Sequence, residues 1–167
     1  TFTVPAATSV SVGSTSYSNH NGWARLATAE FPNSSSITLL VSQPSPTTAY
    51  WKGDVSGAWN TNTAGNTNWS ILDTGASDTG TVPGSATEGV FAATGAANLG
   101  ATTLGSDLSI RSLNVQTTSP VGIGGSNNLP LGDGGIRMDA AAGATTLNTT
   151  GQVVLGANQT WFNHSTN

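Results

Sequence analysis

Apolar residues recur in pairs two positions apart within the segment 90–167 of the chain. Such pairs place two side chains on the same face of a short β-strand. Glycine and asparagine fill the segments between pairs, and both tolerate the left-handed backbone of tight corners. The pattern therefore predicts many short strands, each with one buried face, at Leu108/Ile110, Leu113/Val115, Val121/Ile123, Leu129/Leu131, Ile136/Met138, Thr145/Leu147 and Val153/Leu155.

The pairs themselves repeat at a common spacing of about 24 residues, within the range that marks repeat architectures. Three interleaved series with one period predict a coil with three strands per turn, in which each strand lies parallel to its equivalent one turn later. The fold class expected is all-β, a right-handed parallel β-helix. The series are Val121 to Thr145, Leu129 to Val153, and Leu113 to Ile136 to Trp161, with Val90 to Leu113 as an earlier member.

The first part of the chain has a different pattern. Four β-rich stretches are predicted there, at residues 1–4, 9–12, 23–29 and 36–42. Pro44 and Pro46 then interrupt the chain, since proline excludes helix and weakens strand pairing. We therefore divide the chain into an N-terminal β-rich segment (1–46), a tryptophan-rich entry and loop (47–89) and the rungs of the coil (90–167).

The composition favours an exported protein. Only 7% of residues are charged, the net charge is −4 and there is no cysteine. The four cations are scattered singly, which argues against nucleic-acid binding, and no apolar run is long enough for a membrane-spanning helix. The chain starts at Thr1, so we expect a mature form whose export signal has been removed, located outside the cell or on its surface.

Several stretches resemble a known family, the autotransporter-associated β-strand repeat proteins. The resemblance covers roughly residues 49–167 and does not extend to residues 1–48. It implies a right-handed β-helix on the outside of a Gram-negative-type bacterium, usually without enzymatic activity. The stretches are Tyr50-Trp51-Lys52-Gly53, Gly57-Ala58-Trp59, Asn68-Trp69-Ser70, Val82-Pro83-Gly84-Ser85, Gly134-Gly135-Ile136, Thr145-Thr146-Leu147 and the run from Val153 to Trp161.

Asp73-Thr74-Gly75 follows two apolar residues, as in the catalytic motif of aspartic proteases. In a dimer of a half-size enzyme, two copies of Asp73 would share a proton and activate water. A second Asp-Thr-Gly at Asp78 shows, however, that this composition makes the tripeptide easily. Turn-forming residues in an exposed loop are the simpler interpretation for both aspartates.

Other candidate chemistry is sparse. A polysaccharide-active β-helix enzyme would need a cleft joining Asp107, Arg111, Asp133 and Arg137, with Asp139 nearby. His20 and His164 lack a partner at metal-ligand spacing. We therefore expect no catalytic, cofactor-binding or metal-binding residues and no cofactor.

Trp51, Trp59 and Trp69 allow two interpretations. Exposed and coplanar, they would stack on sugar rings and make the protein a carbohydrate-binding module, with cell-surface polysaccharide as a partner. Buried, they would cap the first end of the coil and shield its core. We favour the cap.

The function expected is that of an extracellular structural or adhesive surface protein that self-assembles. An open strand edge at the end of the coil and the apolar-alternating segment 1–12 could join neighbouring molecules by strand addition. Head-to-tail use of such surfaces would give a homopolymeric filament. An equally weighted alternative is that the coil continues in a longer chain.

Overall fold

The computed structural model describes residues 9–12, 15–18, 40–41 and 44–167. The chain divides into two compact units after Pro44. In the first unit, β1 (Ser9–Val12) lies between β2 (Thr15–Ser18) and β3 (Leu40–Val41), antiparallel to both. The predicted strand at 9–12 is confirmed and β3 lies inside the predicted stretch 36–42, whereas β2 lies between two of the predicted stretches. The predicted stretches 1–4 and 23–29 lie outside the described residues.

The second unit, from Ser45 to Asn167, is built almost wholly of short strands. Its one described helix is a single 3-10 turn, Leu99–Ala101. The strands are β4 (Thr48–Trp51), β5 (Asn62–Thr63), β6 (Asn66–Thr67), β7 (Trp69–Ser70), β8 (Glu88–Phe91), β9 (Thr102–Thr103), β10 (Ile110–Val115), β11 (Val121–Gly124), β12 (Leu129–Met138), β13 (Thr145–Leu147), β14 (Val153–Leu155) and β15 (Phe162–Asn163).

The longest wall of the unit is a stack of parallel strands. β4, β8, β10 and the second half of β12 follow one another, and β15 adds to β12. Each strand comes from a different turn of the chain, which winds back to the same wall after a full circuit. From β8 onward the turns have nearly constant length, since Val90 pairs with Asn114, Asn114 with Arg137, and Arg137 with Phe162. The predicted repeat is therefore confirmed in this wall.

Two further walls complete each turn. The second wall is the parallel sheet β9-β11-β13, in which Thr102, Ile123 and Leu147 follow one another in register. In the third wall, Ile110, Leu131 and Leu155 lie in one column, which passes from β10 through β12 to β14. The predicted fold is confirmed: the unit is an all-β, parallel solenoid with three strands per turn.

A glycine-rich corner joins the third wall to the first within β12. Ile110 pairs with Leu131 and Ser112 pairs with Gly135, so β12 uses four residues where β10 uses two. Gly135 has a positive φ of 61°, and a Cβ at this position would collide with the carbonyl oxygen of Thr160 one turn later. Glycine is therefore required where the backbone turns this closely against the next rung.

The core runs along the inside of the solenoid, because one face of every wall strand points inward. Its fully buried side chains stack in columns, and dispersion contacts between successive turns extend along its length. The largest of them are Trp51, Trp59, Trp69, Phe91, Leu104, Ile110, Leu113, Ile123, Leu129 and Leu131.

The predicted columns are correct in all but one pairing. Val121 pairs with Thr145 and Leu129 with Val153, and Leu113 pairs with Ile136, in register with Trp161 just before β15. The alignment of Val90 with Leu113 is wrong by one residue. Leu113 pairs with Gly89 instead, because the side chain that β8 sends into the core is Phe91, opposite Val115. A slip of one residue reverses the face of every side chain.

Candidate functional site at the two ends of the solenoid

Three tryptophans fill the first turn of the solenoid. Trp51, Trp59 and Trp69 are each fully buried. Their indole N–H groups donate to Ala97 O (2.9 Å), Thr102 Oγ1 (2.9 Å) and Trp59 O (3.0 Å), respectively. Buried indoles need such partners, since an unpaired donor in the core costs free energy.

The ring arrangement excludes a sugar-stacking platform at these tryptophans. Trp69 lies edge-on to both Trp51 and Trp59, with interplanar angles of 80° and 86° and centroid distances of 5.1 and 5.2 Å. Trp51, Trp59 and Trp69 are therefore neither exposed nor coplanar, as sugar stacking on them would require, and their rings fill the core of the first turn.

Asn68 ties down the irregular chain that covers this end. Its fully buried side chain accepts hydrogen bonds from the backbone N–H groups of Val55 (3.0 Å) and Ser56 (2.8 Å). The amide nitrogen of Asn68 donates to Ala58 O (2.7 Å) and Ser56 Oγ (2.8 Å). The sequence analysis named Asn68 only within the stretch Asn68-Trp69-Ser70 and gave it no role of its own, whereas its side chain fixes the loop 52–58 with four hydrogen bonds.

The edges of the first turn are occupied by this irregular chain. β7 pairs antiparallel with β4, and the other side of β7 is used by the bridge from Ser70 to Asp78 and the bond from Thr79 N to Trp69 O. Residues 57–59 cover β9 through hydrogen bonds with Thr103. The solenoid is therefore closed at its first end.

An ion-pair network locks the loop 71–80 onto this closed end. Lys52 Nζ lies 3.0 Å from Asp78 Oδ2 and 2.8 Å from Asp54 Oδ1, with only 13% of the lysine side chain exposed. Asp78 also accepts hydrogen bonds from Thr67 N (2.9 Å), Thr67 Oγ1 (2.8 Å) and Gly80 N (2.8 Å). The carboxylate thus joins the residue that follows β4, the strand β6 and the loop at one point.

The network changes the pKa of both partners. Burial raises the pKa of Asp78, but the hydrogen bonds from Gly80, Thr67 and Lys52 outweigh burial, and the pKa is lowered overall. Burial lowers the pKa of Lys52, but the contacts with Asp54 and Asp78 outweigh it, and this pKa is raised. Both groups are therefore held in their charged forms.

Asp78→Asn is expected to lower the free energy of unfolding by about 1 to 3 kcal/mol at pH 7, the usual cost of losing one partner of a partly buried, hydrogen-bonded charge. Because the folded pKa of Asp78 is depressed, its contribution is complete above the unfolded value of about 4 and is lost as the pH falls through the folded pKa. Urea unfolding at several pH values measures this. Asp73→Asn is the control, and an equal loss in both variants would contradict the assignment.

The two Asp-Thr-Gly tripeptides lie in this same loop but differ in environment. Asp73 is exposed, as predicted. The predicted exposure of Asp78 is wrong, because its side chain is 24% exposed and paired with Lys52.

The acids and arginines that an enzymatic cleft would need make local contacts instead. Arg137 Nε donates to Asp139 Oδ1 at 2.8 Å, and Arg111 lies 4.0 Å from Glu88. Asp107 accepts hydrogen bonds from the backbone (2.7 Å) and the side-chain amide (3.1 Å) of Asn128, one turn later. These contacts lie at corners and between neighbouring strands, and none of them joins Asp107, Arg111, Asp133 and Arg137 to one another, as the enzyme alternative would need.

The described walls carry one groove that is well enough formed to describe. A shallow groove of about 230 Å³ is lined by Ser85, Ser109, Ile110, Pro130, Leu131, Gly132 and Gly156. Among residues 44–167 and the three described N-terminal strands, no three His, Asp or Glu side chains lie close enough to hold a metal ion. The same residues contain no helix of the length and apolarity required to cross a membrane.

The last turn presents a different surface from the first. β13 pairs only with β11, and β14 and β15 pair only with β12, among the strands of the described chain. Large apolar side chains are exposed there: Val154 (38%), Leu155 (63%), Trp161 (51%) and Phe162 (52%). The last turn therefore combines free strand edges with an uncovered end of the core.

Comparisons with known proteins found no matching family model, no matching curated protein and no matching solved structure.

Proposed function

We propose that this chain is a structural and adhesive module on the outside of a bacterium, related to the autotransporter-associated β-strand repeat proteins. The observation that carries the proposal is the stack of parallel strands with continuous inward columns, as in Ile110, Leu131 and Leu155. A solenoid of this kind grows by about 4.8 Å per turn, so it supplies length and a repeated outer surface.

The outer surface suits an exported module. The chain carries only twelve acidic and basic residues, and serine, threonine, asparagine and glycine take their place. Such a surface is hydrated without being strongly charged, and the solenoid is held together by packing and backbone hydrogen bonds without a disulfide. These features support a location outside the cell or on its surface.

Self-association is part of the proposal, and the geometry favours one end of the solenoid. Strand addition through β1 would have to displace a neighbour, since β2 and β3 already occupy both of its edges. The first turn of the solenoid is covered by β7 and residues 57–59. A head-to-tail filament needs a receptive first end, so we place the association surface at the last turn alone.

Labelling of intact cells that make the whole protein tests the proposed location. An antibody against residues 45–167 should label intact cells as strongly as permeabilised ones, because an exported module is reachable from outside. A cytoplasmic protein of the same cells, labelled only after permeabilisation, is the control. If this chain too were labelled only after permeabilisation, the proposed function would be wrong.

A further inference from the structure

β12 and β15 present neighbouring side chains on the outer face of the longest wall. Ile136 and Met138 pack against the core, so Arg137 between them points outward. Phe162 pairs with Arg137 in this parallel wall and therefore lies on the same outer face. Side chains on this face stand roughly perpendicular to the sheet, so a strand added beside β15 would flank Phe162 without covering it.

Two aromatic rings lie near each other on this face. Phe162 is 52% exposed, and His164, two residues later, is also exposed. The two rings are nearly parallel, with an interplanar angle of 4° and centroids 6.1 Å apart. A sugar ring packs its C–H groups against the face of an aromatic ring. Exposed, parallel rings are therefore what carbohydrate stacking requires and what the buried Trp51, Trp59 and Trp69 lack.

A donor and an acceptor lie beside these rings. Arg137 Nε donates to Asp139 Oδ1 at 2.8 Å, and the arginine side chain is 58% exposed. Within the described chain, the two Nη groups of Arg137 and Oδ2 of Asp139 make no hydrogen bond, so they remain available to a ligand. A guanidinium only donates, a carboxylate only accepts and a hydroxyl does both. The pair thus suits the hydroxyls of a sugar, and because its two charges cancel, it favours a neutral sugar over an anionic one.

We propose that this outer face binds a neutral oligosaccharide. Phe162 and His164 stack on its sugar rings, while Arg137 and Asp139 form hydrogen bonds with its hydroxyl groups. The four side chains lie on an open face of the wall, which suits a polysaccharide chain passing over the surface. The inference deepens the adhesive part of the proposed function and rests on it, since it names the ligand class to which the module attaches.

Isothermal titration calorimetry of the full chain with neutral oligosaccharides of glucose, mannose and galactose tests the site. At least one of them should bind to the wild-type chain. Phe162→Leu keeps an apolar side chain but removes the ring, and it should raise the dissociation constant about tenfold, as loss of a stacked ring does. Phe162→Tyr is the matched control, because it keeps the ring and should keep most of the affinity. Circular dichroism verifies that both variants are folded.

Each other outcome would overturn the inference. If none of the neutral oligosaccharides binds at millimolar concentration, this face is not a sugar site, whatever the variants do. Binding of acidic polygalacturonate alone would exclude the neutral ligand class. Equal affinity in Phe162→Leu and Phe162→Tyr would place the sugar elsewhere on the chain. These results are separate from the labelling of cells: a chain that is labelled on intact cells but binds no sugar loses only this site, and a chain that binds sugar but is labelled only after permeabilisation loses only the proposed location.

Discussion

Leu131→Asp is expected to lower the free energy of unfolding of the solenoid by about 5 kcal/mol, among the largest effects of a single substitution. Leu131 is fully buried and lies between Ile110 in the turn before and Leu155 in the turn after. Truncating a buried leucine costs about 2 to 5 kcal/mol, and a carboxyl group without a partner in the core adds to the loss.

Leu155→Asp is the matched control for this prediction. Leu155 occupies the next position of the same column, but its side chain is 63% exposed. The carboxylate of an aspartate at this position would therefore remain largely hydrated. We expect a loss of about 1 kcal/mol or less, as for other exposed sites. Urea unfolding followed by circular dichroism, at a concentration where both proteins are monomeric, measures the difference. Similar losses in the two variants would mean that the column is not a continuous core.

The repetitive part of the fold could be predicted from sequence because each turn solves the same packing problem. A residue such as Leu129 must be apolar because it points inward, and Val153 must be apolar because it packs on Leu129 one turn later. Because successive turns stack in register, the inward apolar residues recur at a constant spacing along the sequence. The register was missed only at β8, where Gly89 lies opposite Leu113 and the buried apolar pair is Phe91 with Val115.

The first end could not be predicted in the same way. β4 and β8 are neighbours, yet the step from Tyr50 to its partner Val90 is much longer than a regular turn, because an irregular loop lies between them. The contacts that hold this loop, such as Asn68 with Val55 and Lys52 with Asp78, join polar residues without periodic spacing. Asparagine and aspartate of this kind look the same in sequence as ordinary turn residues.

The sequence predicted that the tryptophans lie at the first end of the coil, but not whether their rings are exposed or buried. Their closeness in sequence indicated a cluster, whereas exposure decides between a sugar platform and a cap. Their burial depends on contacts distant in sequence, such as those of Trp51 with Ala97 and of Trp59 with Thr102, which nothing in the hydrophobic pattern predicts. The last turn was the converse case, since β13 and β14 coincide with the predicted pairs Thr145/Leu147 and Val153/Leu155.

Trp69→Ala is expected to lower the free energy of unfolding by about 3 to 5 kcal/mol, the usual cost of emptying a buried aromatic site. Trp69 contacts Trp51 and Trp59 edge-on at 5.1 and 5.2 Å, and its indole N–H donates to Trp59 O. This loss of stability should be confined to the turns near Trp69. In a solenoid each turn is stabilised mainly by its neighbours, so the damage should stay near the first end.

Hydrogen exchange of Trp69→Ala, compared with Trp161→Ala, tests this localisation. In Trp69→Ala the amides of β4 and β8 should exchange faster, while those of β12 and β14 keep most of their protection. Trp161 is 51% exposed, so its removal should cost less and should affect β15 and the neighbouring part of β12. Equal loss of protection along the whole solenoid in both variants would show that the unit unfolds as one cooperative block. The closed end would then have no separate stabilising role, and the coupling between turns would be stronger than nearest-neighbour packing provides.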